Sequence, residues 1–82
     1  MPNKLLCEAA EIAALYADWR DIAYDSDVSN HPKSYHIAWD KYCRAISNNQ
    51  KAYKLFRKVF SSHAWSRYED LPSILMTEAY RS

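Results

Sequence analysis

Hydrophobic positions recur at helical spacing from one end of the chain to the other. Leu5, Ile12 and Trp19 repeat every seven residues, with Leu15 and Ile22 on the adjoining row. This is the apolar stripe of an amphipathic helix. Alanines at 9, 10, 13, 14, 17 and 23 add intrinsic helix propensity, and Asn3 stands where an N-cap belongs. A first helix over about 3–24 is expected. Another face of it carries Leu6, Cys7, Ala10, Ala13, Ala14 and Ala17, where a solvated helix would carry Lys and Glu. Small residues let a second backbone approach closely, so this face is either sandwiched inside the domain or offered to a partner or a second copy of the chain.

The periodicity stops between Asp25 and Lys33. Asp, Ser, Asn and Pro concentrate there, and the residue before Pro32 is biased away from the helical region. Asn30 is the candidate for a left-handed position. A second helix over about 33–47 presents Tyr35, Ala38, Trp39, Tyr42, Ala45 and Ile46 on one face, with Asp40, Lys41 and Arg44 outward. Asn48-Asn49 marks a break. A third helix, about 50–68, places Leu55, Phe56, Val59, Phe60 and His63 on one side and Lys51, Lys54, Arg57 and Lys58 around the others. Glu69-Asp70-Leu71-Pro72 supplies a cap and a first-turn proline for a short fourth helix over about 71–80, with Ile74, Leu75, Met76 and Ala79 as its apolar side. The expected fold is all-α, a bundle of three to four helices in a single domain covering residues 1–82.

Composition narrows the chemistry. The chain has no glycine, where average usage of about 7% would give roughly six. Phosphate-binding loops, dinucleotide fingerprints, nucleophile elbows and Asn-Gly hairpins all need a residue that tolerates positive φ or close backbone approach, so none is available. At 49% hydrophobic and 26% charged the chain is too apolar for disorder, and it lacks the run of about 18 apolar residues that a membrane span requires. Cys7 and Cys43 stand apart with no signal-like segment before them, which leads us to expect a reducing, cytoplasmic setting and two buried thiols. The spacing of His31, His36, His63 and the cysteines matches no zinc pattern, so no metal and no cofactor is expected.

The formal net charge of +1 conceals an uneven layout. Glu8, Glu11, Asp18, Asp21, Asp25 and Asp27 make the first segment acidic, whereas from Lys33 to Arg67 eight basic residues face Asp40 alone. Arg44, Lys51, Lys54, Arg57 and Lys58, interleaved with aromatics and followed by Trp65, Arg67 and Tyr68, form a basic, aromatic face. That face can meet phosphates and bases, or it is a solvated helix surface neutralised by the acidic first helix. Seven tyrosines and three tryptophans exceed what so small a core buries with ease, and such residues anchor protein interfaces. His36 and Asp40 stand at i,i+4 spacing, a minor helix contact with no nucleophile or oxyanion site beside it; no enzyme is expected.

The sequence therefore favours a small non-enzymatic module that binds a larger protein stoichiometrically as adaptor, regulator or inhibitor. Its general character is similar to that of accessory proteins which phages and mobile elements direct against host nucleic-acid-processing machinery. Direct DNA or RNA binding through the basic 41–58 segment is the alternative.

Overall fold

Asn3 opens the first helix. Its Oδ1 accepts from the Leu6 N–H at 3.1 Å, and its carbonyl takes the first intrahelical bond, from Cys7 N–H at 3.0 Å, so one of the donors orphaned at a helix start is satisfied by side chain. In the computed structural model, which describes residues 3–25, 33–62 and 68–81, the elements in chain order are α1 (Lys4–Asp25), α2 (Lys33–Asn48), α3 (Gln50–Ser62) and α4 (Leu71–Arg81). A short 3-10 turn, Tyr68–Asp70, leads into α4. No strand occurs among the described residues.

The longest helix is the central one. α1 packs against α2, α3 and α4, whereas α2 and α3 touch each other little. The buried residues explain this arrangement. Ala9, Ala10, Ile12 and Ala13 are all at most 3% exposed, and they face several directions at 100° per residue, so α1 is enclosed on more than one side. Small side chains there let neighbouring helices come close. Ala52 and Phe56 of α3, Tyr42 of α2, and Leu71, Leu75 and Ala79 of α4 complete the buried set.

This placement divides the small-residue face between covered and half-buried positions. Ala10 and Ala13 are buried within the domain, and Leu6 packs against the same core. Ala10 and Ala13 are thus covered inside the domain, while Leu6 stays half-buried. Ala14 and Ala17 are half-buried. The stripe of large residues was in turn a poor guide to the core, because Leu5 is 37% exposed and Leu15 and Ile22 are only half-buried. Ile12 alone of that stripe is fully covered.

Helix directions follow from named contacts. The Asn3 N–H donates to the Ala79 carbonyl at 2.9 Å, which ties the start of α1 to the end of α4 and makes the two antiparallel. Glu8 meets Asn49, Tyr16 meets Tyr42, and Trp19 meets Trp39 and Tyr35, so α2 also runs against α1. Tyr16 meets Phe56 and Phe60 as well, and α3 therefore returns along α1 in the direction of α1 itself. The result is a V whose arms are α2 and α3, whose vertex is Asn49 beside Glu8, and whose arms straddle Tyr16.

One residue makes the vertex. Asn49 N–H donates to the Ala45 carbonyl at 3.1 Å as though α2 continued, while its Oδ1 accepts from Ala52 N–H at 3.1 Å and caps α3. The expected break is present, and it needs no left-handed residue: no positive φ occurs among the described residues. Asn30 lies outside them. So do residues 63–67, over which α3 was expected to continue; Tyr68 already belongs to the turn preceding α4.

Candidate functional site

The arms of the V diverge, and the space between them is lined by rings. Tyr16 on α1 forms the floor, with centroids 5.6 Å from Tyr42, 5.8 Å from Phe56 and 5.6 Å from Phe60. The tilted and edge-on geometries, interplanar angles of 54°, 55° and 82°, suit the ring quadrupoles. Together with Arg57 and Ser61 these rings bound a cleft of about 360 Å³. Phe56 is sealed in the core, but Tyr16 and Phe60 are only half-buried, so the cleft is open. From its floor the aromatic network continues through Trp19 to Trp39, 4.8 Å away and 43% exposed.

Two guanidinium groups flank this floor. Arg20 lies over the Tyr16 ring at 5.8 Å and over the Tyr24 ring at 4.8 Å, and it donates to the Tyr24 hydroxyl at 2.5 Å. Arg57, on the α3 side, lies 6.0 Å over Tyr53 and donates to its hydroxyl at 3.4 Å. Both pairs have the i,i+4 spacing that places side chains together on one helix face. Cation–π contacts of this kind hold the charges at the rim.

Burial acts on one phenol in the cleft. Tyr42 is 7% exposed, and its pKa is pushed from 10.0 up to about 12, mainly because the buried site cannot solvate a phenolate, with Tyr53 and Tyr16 nearby adding to the effect. At neutral pH the phenol is protonated with or without this shift, and the cleft presents a neutral, largely apolar wall beside Arg57.

The sequence-derived basic residues are divided by the fold. Arg44, Lys51, Lys54, Arg57 and Lys58 are all exposed, but only Arg57 reaches the cleft, while Lys54 borders a second concavity nearer the vertex with Ile46, Gln50 and Tyr53. Arg44 pairs with Asp40 at 3.0 Å on the surface of α2. Asp40 is thus engaged by Arg44, one turn on along the same helix. Glu11 and Asp18 of α1 form no ion pair with Lys51 or Lys54 among the described residues, whereas Asp18 and Asp21 share a concavity between α1 and α2 with Lys41. Trp65 and Arg67 lie outside the described residues, as does the side chain of Tyr68.

Tyr16 and Arg20 were not singled out as site residues by sequence. Tyr16 interrupts the alanine-rich face of α1, and Arg20 is the only Lys or Arg between Lys4 and Lys33; those two irregularities were the available signal. Cys7 and Cys43 are unpaired and half-buried. Among the described residues no group of three or more His, Cys, Asp and Glu is placed to hold a metal ion, and no helix is long and apolar enough to cross a membrane. No protein-family model, curated protein or solved structure matches this chain.

Proposed function

We propose that this protein is a non-enzymatic binding module that acts stoichiometrically on a larger protein, as an adaptor, regulator or inhibitor, and that it does so through the α2–α3 face. The observation supporting this reading is the open aromatic cleft over Tyr16. A concave patch of Tyr and Phe edged by Arg has the composition of interface hot spots, and leaving such rings half-exposed forgoes burial that a domain this small needs. A partner that covers the cleft recovers it.

Capture from a cell extract on immobilised protein, followed by mass measurement of the complex, tests this. A single protein retained at a fixed stoichiometry and released by substitution in the cleft is the expected result. Retention of nothing, or of protein that the cleft variants hold equally well, removes the proposal.

Direct nucleic-acid binding is the second reading, favoured by one observation: seven exposed bases on α2 and α3 face Asp40 alone, and Asp40 is already paired. Phosphate contacts release counterions, so affinity for labelled DNA or RNA would fall steeply with salt. Absence of binding at low salt eliminates this reading.

A further inference from the structure

Resting on the protein-binding reading, we infer the chemistry of the partner segment: the α2–α3 cleft receives one large apolar side chain from a stretch of chain that is otherwise acidic. Shape and charge both point there. The floor and walls, Tyr16, Tyr42 and Phe60, offer an apolar recess of about 360 Å³, which matches a single side chain better than a whole helix face. Among the described residues that line it, the charged one is an arginine. Arg57 lines the cleft itself, and Arg20 lies over its floor ring. Outward along α3 the exposed charges are Lys51, Lys54 and Lys58, with no acid anywhere on that helix. A basic segment would place like charges against Arg57 and the lysines of α3, whereas carboxylates beside the anchor meet the Arg57 guanidinium in the geometry it favours.

A nucleic-acid strand would be drawn by the same charges, but the rings argue against it. Base stacking needs a free flat face. Here the cleft rings meet each other tilted or edge-on, and Arg57 and Arg20 lie over Tyr53, Tyr16 and Tyr24. The recess is shaped for an anchor rather than for a stack.

The test is selection of a random-peptide display library on the purified full chain, with the enriched peptides measured by fluorescence anisotropy. The expected peptides carry Asp or Glu around one Leu, Met or aromatic residue. Replacing that residue by Ala, or introducing R57E into the protein, weakens binding at least about tenfold, a change of about 1.4 kcal/mol. The R57E substitution is at an exposed position, so its thermal unfolding midpoint is expected to match wild type. A second variant, F60A, removes one wall and is scored only against its own folded fraction by circular dichroism. Enrichment of neutral or basic peptides, failure to enrich any peptide, indifference to R57E, or displacement of the peptides by a single-stranded oligonucleotide each overturns the inference. If extract capture succeeds and R57E leaves it intact, the binding-module reading stands and this assignment of its cleft fails.

Discussion

Asn49 and Glu8 are joined by a side-chain hydrogen bond from Asn49 Nδ2 to Glu8 Oε2, across 41 positions of sequence. The same Asn49 side chain caps α3 through its Oδ1. One amide therefore uses its acceptor to start a helix and its donor to fix the vertex of the V onto α1. The cleft over Tyr16 exists because that vertex is held.

Substitution at this vertex separates the two roles. Asn49→Ala loses both cap and tether, and the expected cost is about 2 kcal/mol, about half from the cap and half from the bond to a charged acceptor. Asn49→Ser retains a capping oxygen but is too short to reach Glu8, so it should cost about 1 kcal/mol. Urea unfolding midpoints at constant slope read the difference. Equal midpoints for Asn49→Ser and Asn49→Ala would mean that the tether contributes nothing.

Burial of the alanine face gives a second expectation. Ala13 is 1% exposed between packed helices, and Ala13→Leu should overpack the site by three carbons and cost about 2 kcal/mol. Ala17, half-buried farther along α1, should accept Leu at less than about 1 kcal/mol. Thermal unfolding ranks the two. A stable Ala13→Leu variant with an increased mass by light scattering would instead place that face between copies of the chain.

Helix positions were legible because their signals are local. Asn3, the Asn48-Asn49 pair and Pro72 each act within one turn, and the observed ends at Lys4, Asn48, Gln50 and Leu71 lie where those signals put them. Hydrophobicity alone did not say which side of α1 is inside. Leu5 and Trp19 outrank Ala9 and Ala13 in apolar area, but a helix with neighbours on several sides needs small residues at its closest approaches, and that requirement comes from tertiary packing. The basic face of α3 was readable from spacing. Its convergence with Tyr16 and Arg20 was not, because those residues precede Phe60 by some forty positions and meet it only when α3 folds back from Asn49.

Phe56 and Phe60 share one helix face yet should respond differently. Phe56 is 2% exposed, and Phe56→Ala opens a cavity at the junction of α1, α2 and α3, a loss of about 3–5 kcal/mol that takes most of the stability of so small a domain. Phe60 is half-buried at the cleft wall, where water can fill the space left by Ala, so the cost should be nearer 1–2 kcal/mol. Chemical denaturation with circular dichroism compares them. A Phe60→Ala loss as large as that of Phe56→Ala would make the cleft wall part of the core.

Tyr42 carries the alkaline limit of the fold. Its phenol ionises near pH 10.0 when exposed and near pH 12 in the folded chain, where burial disfavours the anion. Between those values the unfolded chain has released a proton that the native chain still holds, so stability must fall as pH rises. Below pH 10 both states keep the proton, and the contribution is fully present. Across the window the loss amounts to about 3 kcal/mol, from 1.36 kcal/mol per pKa unit. Tyr42→Phe removes the ionisable group while keeping the ring against Tyr16 and Trp39, so it should flatten this part of the pH dependence and delete one late step from the ultraviolet tyrosine titration. Urea unfolding at several pH values across the window provides the check. An equally steep fall in Tyr42→Phe would assign the alkaline limit to other groups and leave the buried phenol without consequence for the cleft.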